Sequence, residues 1–388
     1  MTSNRHIVPA LRLHFGSDSL DALSEEVDRL GARRAVICCG ASLQRERSAL
    51  DLVRTALGDR CAGVVAEVQA HSPLDAVRAA AHALQRLRAD AVIAIGGGSA
   101  IVTARAASIL LAEGHDAKAL CTQRDAQGSL HSPKLKAPKL PQLVVPTTPT
   151  TATLKAGSAV LDPDSGARLA LFDPKTRAKA VFVHPALLST PPLELVVSAG
   201  LNTFAMALEG LMSRAGDPFS DGLLMHATRL LARGLTAAAK RDDPALRNDL
   251  MFASLLCGHG TDYTGAGIAI PLGHALSARY HVDNGVTNAI VLPHVIRFNA
   301  DAAAAGLEKL AVALGAPLTN TNAADAVAGA IEHVFDMLNT PKRLRDIGVA
   351  WEGLPELATI SMDDWFVRDN PRQVQGTRDL QQVLEAAW

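Results

Sequence analysis

An α/β half followed by an all-helical half is the fold this sequence predicts, and three observations carry the prediction. Short apolar runs alternate with amphipathic stretches as far as residue 191. Beyond Pro191 and Pro192 the strand signals stop, and Ala/Leu-rich helical segments run to the end. A glycine run, Gly96-Gly97-Gly98, joins one apolar run directly to one helical stretch. Alternation of this kind implies a parallel sheet with helices on its faces. The composition change near residues 189–192 places the boundary, giving an α/β domain at residues 1–190 and an all-helical domain at 191–388.

The elements follow in order. Residues 34–40 (RAVICCG), 62–68 (AGVVAEV), 89–96 (ADAVIAIG) and 142–148 (QLVVPTT) read as buried strands. Each is a short apolar run bounded by polar residues, Gly or Pro. Between them, residues 20–30, 43–57, 73–87 and 99–111 have helical spacing, with Ser42, Ser72 and Ser99 as candidate N-caps. Residues 158–162, 168–173 and 180–184 read as an antiparallel excursion, with turns at Pro163–Asp164 and at Pro174. The Lys/Pro-rich piece 131–141 reads as an exposed loop. The helical half should break near Gly216, Asp242, Gly258, Gly285 and Pro317.

Composition limits the function classes. Hydrophobic residues are 48% and charged residues 20% of the 388, which excludes a disordered chain and provides for a substantial core. A net charge of -1 gives no footprint for nucleic acid or an anionic membrane. Five cysteines without a CxxC pair argue against a disulfide framework or a zinc ribbon, and fit a reducing compartment. No uninterrupted apolar run reaches about 18 residues, and residues 1–9 have no apolar signal core. We expect a cytoplasmic protein without membrane or nucleic-acid partners.

Two loops carry chemistry. Gly96-Gly97-Gly98-Ser99 stands between the strand AVIAI and the helix that follows. Glycines at such a turn let the backbone approach a phosphate, and the helix N-terminus supplies N–H groups and a positive dipole end. The same run could be a plain tight turn, and it is not a GxGxxG fingerprint. The second loop is Pro146-Thr147-Thr148-Pro149-Thr150-Thr151, at the end of a parallel strand. Hydroxyl-rich loops at strand carboxyl ends line the ligand crevice of such folds, although threonines also stabilise turns locally.

Taken together, the GGGS turn, the PTT loop, residues 200–209 (GLNTFAMALE), residues 285–294 (GVTNAIVLPH) and Asn370-Pro371-Arg372 occur in the order seen in the iron-containing alcohol dehydrogenases. The sequence resembles that family over nearly its whole length. The resemblance implies an N-terminal dinucleotide-binding α/β domain and a C-terminal helical domain with the active site in the cleft between them. That architecture is shared with dehydroquinate-synthase-like and glycerol-dehydrogenase-like enzymes. It implies NAD or NADP as cofactor, with Gly97, Gly98 and Ser99 at the phosphates and Thr147, Thr148 and Thr151 toward the ribose and nicotinamide. Ser72 and Leu187 complete the implied cofactor set.

The departures from the family pattern are informative. Its GxDALxHAIE helix supplies an Asp and a His to a divalent metal, and those positions are Asn202 and Met206 here. The remaining two metal histidines are replaced by Ile270 and Asn284. Amides, a thioether and an alkyl group cannot replace a carboxylate and imidazoles for Fe²⁺ or Zn²⁺, so no metal is expected. His274, one turn after Ile270, matches the family's non-ligand histidine. With His281 it is the candidate proton donor; either could equally be a core or solvated side chain. Val102 replaces the Asp and Arg105 the Lys that follow GGGS in the family. Maleylacetate reductases, a metal-free branch, share the loss of that Asp and of most ligands, but keep histidines absent here. The resemblance thus implies a metal-independent NAD(P)-dependent alcohol dehydrogenase or carbonyl reductase acting on a small alcohol or carbonyl compound, as a homodimer. Two alternatives stand beside it. One is reduction of an unsaturated keto acid, with Arg279 or Lys155 holding the carboxylate. The other is a nucleotide-binding pseudoenzyme.

Overall fold

Runs of Val, Ile, Ala and Leu without polar interruption suit strands covered on both faces. In β2 (Ala35–Gly40), β4 (Ala91–Gly96) and β7 (Gln142–Pro146) nearly every residue is buried. The structure, a computed structural model, describes residues 5–45, 47–114, 116–125, 130–164, 166–317 and 322–388. They fall into two compact units, residues 9–191 and residues 192–388, the latter joined by residues 5–8.

The other strands of the α/β unit are β1 (Arg12–Phe15), β3 (Cys61–Val68), the two-residue pair β5 (Gln123–Arg124) and β6 (Leu130–His131), β8 (Gly157–Leu161), β9 (Arg168–Phe172) and β10 (Ala178–Val183). Its helices are α1 (Leu23–Arg29), α2 (Ala41–Arg45), α3 (Arg47–Leu57), α4 (Leu74–Arg86), α5 (Gly98–Glu113), α6 (Ala117–Leu120) and α7 (Pro185–Leu188). Six strands form one parallel sheet in the order β1-β10-β7-β4-β2-β3. The chain leaves β2 for β3 on one side and returns to β4 on the other. Open α/β sheets bind ligands at the strand carboxyl ends beside such a reversal. Gly40 ends β2 there, and Gly96 ends β4.

Several expectations need correction. Residues 180–184 do not belong to the antiparallel excursion: β8 and β9 form that hairpin alone, while β10 lies parallel between β1 and β7. An apolar run identifies a strand but not its partners, which here are remote in sequence. Strand β1 is missing from the expected elements because four alternating residues give almost no periodic signal. The three serines are not N-caps. Ser42 lies within α2, while Pro73 and Gly97 occupy the cap positions of α4 and α5. The piece 131–141 is pinned at its end, where the buried Lys139 ammonium pairs with Glu113 at 2.7 Å and Asp173 at 3.0 Å.

The helical unit contains α8 (Leu193–Met212), α9 (Pro218–Ala238), α10 (Pro244–Thr264), α11 (Ala269–Tyr280), α12 (Asn284–Phe298), α13 (Ala304–Leu314), α14 (Ala323–Met337), α15 (Leu354–Ser361) and α16 (Thr377–Ala387). The chain breaks near Gly216, Asp242 and Pro317, but α10 continues through Gly258 to end at Gly265, where φ is +71°. Gly285 lies in the first turn of α12, where a Cβ would run into the Ser198 carbonyl of α8. Glycine there marks a helix crossing, not a break. Helix α8 is the one described helix long and apolar enough to cross a bilayer, yet 78% of its apolar window is buried inside the structure. Phe204, Ala207 and Leu208 are among its fully buried members. Residues 5–8 go with this unit, against the expected boundary. His6 bonds Asp217 at 2.8 Å and stacks on Tyr263 with ring centroids 4.1 Å apart.

Candidate functional site

In the α/β unit a candidate cofactor site forms at the start of α5. Gly96 has φ +136°, a conformation that side chains rarely adopt, and a Cβ on Gly97 would lie 2.7 Å from Thr148 Oγ1. On Gly98 it would lie 3.2 Å from Thr150 Oγ1. The glycines therefore let the threonine loop close over the turn. The first-turn N–H groups of Gly98 and Ser99 have no intrahelical acceptor, and among the described residues no side chain caps α5. This cradle fits a phosphate: backbone donors at the head of a 16-residue helix, at a sheet switch point.

The neighbouring hydroxyls divide between lining and support. Thr147, Thr148 and Thr151 are buried, and the Thr147 N–H donates to the Gly96 carbonyl at 3.0 Å. Ser72, at φ +50°, donates its hydroxyl to the Ser99 carbonyl at 3.1 Å and accepts from Thr103 at 3.0 Å. The His71 N–H donates to Ser99 Oγ at 3.2 Å. This clasp ties the β3–α4 loop to the first turn of α5. Leu187 is fully buried among the core residues of the unit, so its side chain packs and does not line the cradle.

Arg105 was read from the sequence only as a departure. Its fully buried guanidinium donates to the Gly157 carbonyl at 2.7 Å and the Ala152 carbonyl at 2.6 Å. It thereby fixes the threonine loop from beneath. A lone charge in the apolar stretch AIVTARAASILL was the available signal.

In the helical unit, α8, α11 and α12 carry Asn202, Met206, Ile270 and Asn284, the positions that the resemblance assigns to the metal. Asn202 Oδ1 already accepts from Asn288 Nδ2 at 2.9 Å, and Met206 and Ile270 are buried in the core. Asn284 Oδ1 is buried without a hydrogen-bond partner among the described residues. Two neutral amide oxygens, a thioether and an alkyl group do not fit Fe²⁺ or Zn²⁺. His274 lies one turn beyond Ile270, and its Nδ1 stands 2.9 Å from Asp364 Oδ2. His281 is exposed, in the left-handed conformation that ends α11. Because α11 continues unbroken to Tyr280, the two histidines stay about 10 Å apart along the axis and cannot share an ion. Arg279 is exposed and pairs with Glu356 at 3.6 Å, while Lys155 is half-buried in the other unit.

Two of the motifs behind the resemblance converge on the head of α11. Glu209 accepts from the Ala269 N–H at 2.7 Å, and burial pushes its acid up to about 7 although the Ala269, Gly267 and Ile270 N–H groups pull the other way. Asn370 exchanges hydrogen bonds with Asn299 at 2.7 and 3.0 Å and accepts from the Ile268 N–H at 3.4 Å. Both residues position the helix that carries His274.

Comparison with known proteins agrees with this architecture. Residues 10–185 match the family model for iron-containing alcohol dehydrogenase, and residues 196–388 match the C-terminal model for the Fe-containing alcohol dehydrogenase family. The chain is 28% identical to lactaldehyde reductase from Escherichia coli (strain K12) over 379 residues, covering 96% of this chain and 97% of that one. It is 29% identical over 365 residues to maleylacetate reductase 1 from Cupriavidus pinatubonensis, covering 94% and 91%. Among solved structures, a 1,3-propanediol oxidoreductase shares the fold with a TM-score of 0.89 at 22% identity, covering 99% of both chains.

Proposed function

The chain belongs to the iron-containing alcohol dehydrogenase family, and we propose that it is an NAD(P)-dependent oxidoreductase that interconverts a small alcohol and its aldehyde or ketone without a metal ion. The observation that carries this reading is the uncapped head of α5 beside the switch point, with Gly97 and Gly98 leaving room for backbone donors to meet a pyrophosphate. A bound nicotinamide supplies the hydride donor or acceptor. The Gly98 and Ser99 N–H groups hold the pyrophosphate, and Thr147, Thr148 and Thr151 face the ribose and nicotinamide. Gly40 ends β2 without an acid to repel a 2′-phosphate, so NADPH is accepted as well as NADH.

With no fitting metal ligands, the substrate oxygen is served by hydrogen bonding and by a proton from His274. His281 is the weaker candidate, being exposed at a helix end. Likeness to a lactaldehyde reductase makes lactaldehyde the first substrate to try. Likeness to a maleylacetate reductase keeps the keto-acid reading in the test, although Arg279 already has a carboxylate partner.

The experiment is titration with NADH and NADPH, followed by turnover of lactaldehyde and maleylacetate with and without a chelator. Binding of both nucleotides and chelator-insensitive lactaldehyde reduction are expected. Absence of nucleotide binding would overturn the reading. Binding without any turnover would favour the pseudoenzyme.

A further inference from the structure

We propose that Thr103 and Ser72 are positioning residues of the phosphate cradle, acting through Ser99 and not by touching the nucleotide; this rests on the nucleotide-binding reading above. All three lie in the α/β unit, Ser99 and Thr103 one turn apart on α5 and Ser72 in the β3–α4 loop.

The direction of one hydroxyl carries the argument. A threonine inside a helix commonly gives its proton to the carbonyl four residues back. Thr203, Thr236 and Thr261 do so here, at 2.9, 2.8 and 2.7 Å. For Thr103 that carbonyl belongs to Ser99, but its proton goes to Ser72 Oγ at 3.0 Å. Ser72 then donates its own proton to the Ser99 carbonyl at 3.1 Å. A hydroxyl from another loop is thus inserted into a contact that α5 would otherwise make with itself.

Ser72 is only 1% exposed, and its backbone is committed as well. Its N–H donates to the Gln69 carbonyl at 3.2 Å, and its carbonyl accepts from the Leu161 N–H at 3.2 Å. Holding it there takes two successive non-glycine residues in the left-handed region, His71 at φ +62° and Ser72 at φ +50°. Such conformations persist only where the surrounding contacts fix them, and they gather at ligand clamps.

The consequence falls on Ser99. Its carbonyl is held by Ser72, and its Oγ accepts from the His71 N–H at 3.2 Å. Its N–H, in the first turn of α5, has no intrahelical acceptor. With carbonyl and hydroxyl oxygen tied to the loop, the direction of this N–H is set before an anion arrives. Donors arranged in advance lose less freedom on binding. Without the Thr103 proton, Ser72 Oγ loses the donor that orients it, and the first turn loses its brace.

Thr103→Val, which keeps the branched shape and removes the proton, is the test. The Kd of NADH should rise about tenfold, and Ser72→Ala should match it, while Thr103→Ser should stay within about twofold of the native protein. Because both hydroxyls act in one chain, the two losses together should cost no more than either alone. The loss should follow the phosphates: affinity for ADP falls with that for NADH, whereas affinity for adenosine, read by ligand-observed NMR, does not change. In the free protein, hydrogen exchange at the Ser99 amide should quicken in Thr103→Val. A merely structural role would lower the unfolding temperature and leave the ratio of ADP to adenosine affinity as it is. NADH affinity within twofold of native in both variants, equal losses for ADP and adenosine, or additive losses in the double variant would overturn the proposal. Should the valine variant not fold, Ser72→Ala alone decides the ADP and adenosine comparison. A native protein that binds ADP but not NADH would count against the oxidoreductase reading alone, and one that binds neither would overturn both.

Discussion

Glu209 keeps a proton that an exposed glutamate would lose, because its burial disfavours the anion more than three backbone N–H groups favour it. Its acid stands at about 7 in the folded chain against 4.5 for the exposed group. Between those values the unfolded chain has released the proton and the folded chain has not. Stability from this group is thus complete below pH 4.5 and falls as pH rises through 7, by roughly 3 kcal/mol. Glu209→Gln retains an acceptor for the Ala269 N–H and removes the titration. Thermal unfolding at pH 5 and pH 8 should show a smaller decline for the variant. Identical declines would mean that other groups set the pH dependence. The motif GLNTFAMALE that ends in Glu209 was visible in the sequence, but its role was not: nothing local says that this carboxylate caps a helix 60 positions away.

At the scale of elements, the head of α5 and the end of β2 make separable predictions. A Cβ at Gly98 presses on Thr150, and the rest of a valine would fill the space in front of the first-turn N–H groups. Gly98→Val should weaken NADH binding by about tenfold or more, because both the donors and the loop are displaced. Cofactor fluorescence titration measures it, and an affinity equal to the native protein would remove the phosphate from this turn. A Cβ at Gly40 meets nothing closer than the Val68 carbonyl at 3.8 Å, so Gly40→Asp should fold normally. Its carboxylate should raise the Kd of NADPH by about tenfold while sparing NADH, through repulsion of the 2′-phosphate. Equal effects on the two nucleotides would place the adenosine ribose elsewhere. Both elements were legible because strand, glycine turn and helix are contiguous. The Ser72 clasp and the Arg105 support were not, since each joins segments from distant parts of the chain.

For the whole molecule, the prediction is independence from metal. One of the four positions already uses its oxygen on Asn288, and two are packed apolar side chains. Several anionic or imidazole ligands are gone together, and supporting residues cannot replace them. Protein grown with iron and zinc should contain neither in stoichiometric amount, and its unfolding temperature should not change on adding a chelator. Stoichiometric metal with a chelator-induced fall in that temperature would refute this. At this scale too, the sheet order was not accessible from periodicity. Strand β10 reads the same whether it joins a hairpin or the centre of a sheet, and β1 barely reads at all.

By itself the sequence determined the class of fold, the position of the glycine and threonine loops, and the identity of the side chains at the positions the resemblance assigns to the metal. These are properties of contiguous residues or of fixed chemistry. Only the tertiary structure decided which strands pair, that α10 and α12 run through their glycines, and that Glu209, Asn370 and Asp364 all act on α11. The physical reason is range. Hydrogen-bond and packing partners in this fold are commonly 30 to 100 positions apart, and a pairing across that distance is set by burial of the whole unit, which leaves no periodic mark on either segment.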